Sequence, residues 1–141
     1  CANKYEVVCR KYNDICSVQE NNTNTKSSYW AYAIILKKTI NWKLFRKIFI
    51  YNGGLPFYAA WKLNSDEKAL SCKNNKELER IYTKTQYGEY MEIHQNTNTQ
   101  NAKELQKRLV LLRTNLWDTN VVATQAIALD KTFSALRESK Q

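Results

Sequence analysis

From Ala102 to Arg137 the chain contains neither Gly nor Pro, and Leu105, Leu109, Leu112, Leu116, Ala123, Ile127, Phe133 and Leu136 recur at helical multiples. Residues three and four apart share one face of an α-helix, so this spacing predicts a long amphipathic helix whose apolar stripe needs a partner surface. Trp117-Asp118-Thr119-Asn120 offers cap residues ahead of the β-branched Val121-Val122, so two antiparallel helices divided there fit the same pattern. The natural partner is the opening segment. There Tyr5, Val8, Cys9, Tyr12, Ile15 and Cys16 also fall on one helical face, which predicts a helix from about Lys4 to Val18.

Between these ends the pattern is less one-sided. The apolar run from Tyr29 to Leu36 fits a buried helix or a buried strand, and helix is preferred over Tyr29 to Thr39. From Asn41 to Tyr51, Trp42, Leu44, Phe45, Ile48, Phe49 and Tyr51 oppose Lys43, Arg46 and Lys47, a helical pattern with Ile50 out of place. Asn52-Gly53-Gly54-Leu55-Pro56 ends it. Asn-Gly is also a strong hairpin signal, so a hairpin joining residues 44–51 to 57–63 is the alternative. Ser65-Asp66-Glu67 reads as a capped helix start, 75–82 as a short helix, and 87–93 as strand or helix. The polar runs 19–28 and 94–101 read as loops. The expected fold is mainly α: a disulfide-tied helical domain with a long C-terminal helix or helix pair. The alternative is α+β with a small central hairpin around Asn52-Gly53. At 141 residues a single domain over 1–141 is expected.

Cys1, Cys9, Cys16 and Cys72 lack the paired spacing of a metal site and read as two disulfides. If Cys9 and Cys16 share one helix they stand about 10.5 Å apart along its axis, beyond the ~7 Å limit for a bridge. Cys72 is then expected to bond to Cys9 or Cys16, with Cys1 taking the other. An even cysteine set, a start at Cys1 rather than Met, and the sequon Asn21-Asn22-Thr23 point to a secreted, extracellular protein with its signal peptide removed. No apolar run approaches the roughly 18 residues needed to cross a bilayer as a helix.

The net charge of +9 is concentrated in one region. From Asn21 to Ser65 there is no acid, while Lys26, Lys37, Lys38, Lys43, Arg46, Lys47 and Lys62 are all basic. Trp30, Trp42 and Trp61 and most of the Phe lie in the same stretch. This interleaving predicts a partner-binding face in residues 29–62, carried by Trp30, Lys37, Lys38, Trp42, Lys43, Arg46, Lys47 and Trp61. A protein or other acidic macromolecule is the expected partner, and nucleic acid is the alternative. The competing interpretation makes the aromatics core and the lysines their solvated edge.

Catalytic chemistry has little material. His94 is the single histidine and sits in a polar run without a second titrating partner nearby in sequence. Glu77, Glu79, Glu89 and Glu92 have the spacing of solvated helix faces, and Gly53-Gly54 is not followed by the Lys-Ser/Thr of a phosphate loop. No enzyme activity, cofactor or metal is expected. The function expected from sequence is a secreted, non-enzymatic binding protein, an effector or host-interaction factor. The alternatives are an intracellular nucleic-acid-binding module and a structural subunit of a larger assembly.

Overall fold

A computed structural model describes residues 1–20, 24, 27–67, 80, 83–96 and 99–139. The chain forms two compact units, one of Cys1–Ala60 with Leu105–Gln141 and one of Trp61–Glu104. The first unit is α+β rather than mainly α. Helix α1 (Ala2–Lys11) leads into strand β1 (Cys16–Val18), then β2 (Ala31–Leu36), α2 (Trp42–Tyr51) and β3 (Tyr58–Ala59). Among the described residues of the second unit lie a 3-10 turn at Asn64–Asp66 and α3 (Lys84–Asn96). Helix α4 (Gln100–Gln106) precedes β4 (Leu109–Arg113) and α5 (Thr119–Glu138). The strands make one antiparallel sheet in the order β1-β2-β4-β3, with Cys16 opposite Leu36, Ile34 opposite Val110 and Tyr58 opposite Leu111.

Each departure from the helical expectation has a physical cause, local or long-range. Helix α1 stops at Lys11 because Asn13-Asp14 favour a turn over a helix. The peptides of Ile15 and Cys16 both donate to Tyr12 O, at 2.9 and 3.0 Å, and Lys37 N–H donates to Ile15 O at 2.9 Å. Residues 31–36 alternate half-buried and buried, placing Tyr32, Ile34 and Leu36 on one face of a strand. Leu109, Val110, Leu111 and Leu112 are consecutively apolar, so they satisfy the helical and the strand period equally; pairing with both β2 and β3 decides for strand. The C-terminal helix therefore begins only at Thr119, where Asp118 caps it by accepting from Asn120 N–H at 2.7 Å.

The hairpin alternative is also corrected. Residues 42–51 are helical, and Asn52-Gly53-Gly54 is a helix stop. Gly54 N–H donates to Phe49 O at 2.8 Å and Gly53 N–H to Ile50 O at 3.0 Å, with Gly53 at φ +88°. That is a Schellman motif, which uses the same left-handed glycine that an Asn-Gly hairpin would use. Ser65 does not start a helix beyond the 3-10 turn. Helix α3 instead begins after Thr83, whose hydroxyl accepts from Gln86 N–H while Gln86 Oε1 accepts from Thr83 N–H, a capping box. Helix α3 also runs to Asn96, through residues expected to be loop. The sequon, Cys72 and nearly all of the helix expected over 75–82 lie outside the described residues.

The core of the first unit lies between the sheet and three helices. Helix α5 packs against both α1 and α2. Phe133 is its central side chain, with its ring 5.3 Å from Tyr12 and 5.9 Å from Phe45. Phe45, Phe49 and Phe57 form one cluster, and Tyr5 packs near Tyr32. Burying each large apolar side chain of this kind contributes about 1.5–3 kcal/mol, so this layer holds the unit together without a covalent tie. It is not disulfide-tied: Cys1, Cys9 and Cys16 are free thiols.

Candidate functional site

Helix α2 is positioned from three sides. At its start Asn41 Oδ1 accepts from Leu44 N–H at 2.9 Å, and Trp42 N–H donates to Lys107 O at 2.9 Å. Along its inner face Phe45 and Phe49 are buried. At its end the buried Gln125 of α5 grips the turn, accepting from Leu55 N–H at 2.6 Å and donating to Gly53 O at 3.2 Å. Asn52 Nδ2 adds a bond to Thr132 Oγ1 at 3.2 Å. The helix is thus rigidly mounted, and its outer surface is defined.

That outer surface carries Lys43, Arg46 and Lys47, all exposed, at the three- and four-residue spacing that puts side chains on one face. Lys37 and Lys38 are exposed in the turn leading to it, which the buried Ile40 anchors. None of these five cations makes an ion pair with a described residue. The other helices of the unit pair some of theirs, although Lys4 of α1 and Lys131 of α5 make no ion pair with a described residue. Arg10 binds Glu6 within α1, and Arg137 of α5 binds Asp14 with two nitrogens while lying over the Tyr12 ring at 4.4 Å. Lys11 approaches Asp130 at 3.6 Å.

Three apolar side chains lie among the α2 cations. Leu44 is 42% exposed, Ile50 41% and Tyr51 89%. From the sequence, Leu44 and Tyr51 are assigned to the buried side, and only Ile50 stands out. The missed signal is angular: at 100° per residue Tyr51 lies about 160° from Phe49, too far to share one buried stripe. Trp42 is half-buried, with the Lys43 ammonium 5.9 Å from its ring centre.

Trp30 lies away from the Lys37–Lys38 turn. Trp30 precedes β2, whereas Lys37 follows it, so the strand separates them by roughly 20 Å. Trp30 is 67% exposed and stacks on Tyr58, with ring centres 5.5 Å apart and planes 19° apart. Its carbonyl accepts from Thr114 Oγ1 at 2.8 Å, and Tyr29 before it sits at φ +47°. Trp61 belongs to the second unit and is exposed. Within the first unit, Trp30 therefore belongs to an aromatic stack set apart from the Lys37–Lys38 turn.

The cysteines are arranged differently from the expected bridges. With α1 ended at Lys11, Cys9 and Cys16 no longer share a helix, and Cys16 Sγ lies 4.0 Å from Cys9 O. A hydrogen bond between the Cys9 and Cys16 thiols, then burial, pushes the Cys9 thiol far above its usual range. The same bond, with Lys37 adding to it, lowers Cys16. Cys1 Sγ donates to Arg113 O at 3.6 Å, beside Tyr5 OH, which donates to the same oxygen at 3.2 Å. Among the described residues no three His, Cys, Asp or Glu side chains converge to hold a metal ion, and no helix is long and apolar enough to cross a membrane. The His94 side chain lies outside the described set. Comparison with protein-family models, with curated proteins and with solved structures gives no match for this chain.

Proposed function

We propose that this chain is a binding protein that docks an acidic macromolecule on the outer surface of α2 and the preceding Lys37–Lys38 turn. The observation that carries this reading is the set of five exposed cations without an acidic partner among the described residues, on a helix that is otherwise firmly held. Cations near a helix N-terminus oppose the macrodipole, so Lys43 in the first turn does not serve the stability of α2. An anionic partner meets both the side-chain charges and the helix end. The nucleic-acid alternative would draw support from the Trp30–Tyr58 stack, but that stack and the Lys37–Lys38 turn lie at opposite ends of β2. Extracellular action as an effector or host-interaction factor belongs to the same proposal. With Cys1, Cys9 and Cys16 reduced, its support is the sequon.

The test is fluorescence anisotropy with labelled poly-glutamate as the acidic probe. Arg46→Glu with Lys47→Glu is expected to weaken binding at least about tenfold, a change of 1.4 kcal/mol, and to flatten its salt dependence. Equal affinity and equal salt dependence in the double variant would refute the site.

A further inference from the structure

We infer that the partner surface of α2 is fitted to an acidic amphipathic helix; this rests on the docking site proposed above and names the kind of partner it takes. The α2 surface is not uniformly basic. Lys43, Arg46, Lys47 and Ile50 fall within about 100° of one another around the helix, and Leu44 and Tyr51 lie along one edge of that strip. Over ten residues, about 15 Å of helix, cationic and apolar side chains share one exposed side. A complementary surface must offer carboxylates and apolar groups at matching intervals over the same length. An amphipathic helix with acidic residues beside its apolar stripe does so, because its own side chains repeat at the same steps.

The other polyanions fit less of what is exposed. Nucleic-acid interfaces are more polar and more strongly positive than protein interfaces, and neither phosphate contact nor base stacking uses Leu44 or Ile50. An anionic membrane takes helices that present a wide apolar face, but the widest apolar face of α2 is already occupied by Phe45 and Phe49 in the core. The strip left outside is narrow and mixed. Exposed Leu, Ile and Tyr among cations match the aromatic and aliphatic anchors of a protein interface with a charged rim.

The experiment compares two labelled synthetic peptides of identical Glu, Leu and Ala composition, one amphipathic as a helix and one scrambled, with a single-stranded oligonucleotide. Each is titrated with the full-length protein and with two variants, Leu44→Ser/Ile50→Ser and Arg46→Glu/Lys47→Glu. Far-UV circular dichroism confirms that each variant folds, as expected for substitutions at exposed positions. The amphipathic peptide is expected to bind about tenfold tighter than the scrambled one. The serine variant should erase that difference and leave the scrambled peptide unaffected. Equal affinity for the two peptides overturns the helix inference while leaving the acidic docking site standing. An oligonucleotide preferred over both peptides, and unaffected by the serine variant, overturns it in favour of nucleic acid. Charge reversal without effect on any probe removes the site itself.

Discussion

Replacing Gly54 with Ala would test how α2 is held. A Cβ at Gly54 would stand 2.5 Å from Phe49 Cε1 and 2.6 Å from Cγ, and closer still to Cδ1, against a comfortable carbon–carbon separation of about 3.5–4.0 Å. Either the ring or the turn must give way by roughly 1 Å to reach that separation. The ring is hemmed in: Phe49 is buried, stacked on Phe45 at 5.5 Å and inclined to Phe57 at 6.0 Å. The turn is held by Gly54 N–H on Phe49 O and by both arms of Gln125. Overpacking a filled core costs about 1–3 kcal/mol, and loosening the Schellman hydrogen bond adds about 1 kcal/mol. A loss of about 3 kcal/mol is therefore expected. At a urea slope of about 2 kcal/mol per M the unfolding midpoint, followed by far-UV circular dichroism, should fall by roughly 1.5 M. A fall of less than about 0.3 M, or ~0.6 kcal/mol at that slope, would show that the ring and turn relax freely and that the steric account is wrong.

Gln125→Leu keeps bulk but strips Leu55 N–H and Gly53 O of their side-chain partner; a loss of about 2 kcal/mol is expected, and a calorimetric midpoint equal to the parent's would contradict it. Burial pushes Tyr5 up to about 12 and raises Tyr32 by the same cause. A folded value above the unfolded one of about 10 means that this stabilisation is intact below pH ~10 and is lost as pH rises toward 12. Urea midpoints should therefore decline over that window, less steeply in Tyr5→Phe, and an identical alkaline profile would refute the assignment. Alkylation without reductant is expected to modify half-buried Cys1 in the folded protein, and Cys9 and Cys16 only after unfolding. Peptide mapping that finds any of the three in a disulfide would refute their reduced state. Lys43→Glu places an acid in the first turn of α2 and is expected to raise stability by about 0.3–1 kcal/mol while lowering affinity for poly-glutamate. A variant that gains stability and keeps its affinity would count against the docking surface.

Sequence periodicity located α1, α2 and α5 but lost the sheet, and the reason differs by segment. Helix α2 was legible because its charges and large aromatics separate cleanly around the wheel. The C-terminal helix was legible from the Asp118 cap onward, but its buried stripe runs through Val122, Gln125, Leu129, Phe133 and Leu136, while Ile127, expected on that stripe, is exposed. In β4 the four consecutive apolar residues 109–112 carry no period of their own, and Leu105 and Leu116 on either side lent them a false helical one. Residues 31–36 are ambiguous for the same reason; long-range pairing with β1 and β4 decides them, and pairing between distant segments leaves no mark in local spacing. In the candidate site, the basic residues of α2 were legible as an acid-free run. The exposure of Leu44 and Tyr51 is carried only by their angle around the helix, because hydrophobicity alone does not separate a buried position from an exposed one. The separation of Trp30 from Lys37 follows from the strand between them, so the error in β2 carried directly into the expected face.

Helix α2 has two faces under opposite constraints. Its inner face is fixed by Phe45 and Phe49 against Phe57 and Phe133, and that packing is what keeps the segment helical. Its outer face works the other way. Lys43 faces the positive end of the helix dipole, no acid lies three or four residues away to pair with Arg46 or Lys47, and Leu44 and Ile50 leave apolar area in water. On helix α1, by contrast, Glu6 lies one turn before Arg10 and pairs with it. A solvated edge has no need of unpaired like charges flanked by exposed Leu, Ile and Tyr, whereas a surface that meets carboxylates and apolar groups together needs both. For this reason the two readouts of Lys43→Glu must be taken jointly. Greater stability follows from the dipole alone, and only when it coincides with weaker binding does the cost carried by the free helix belong to its partner.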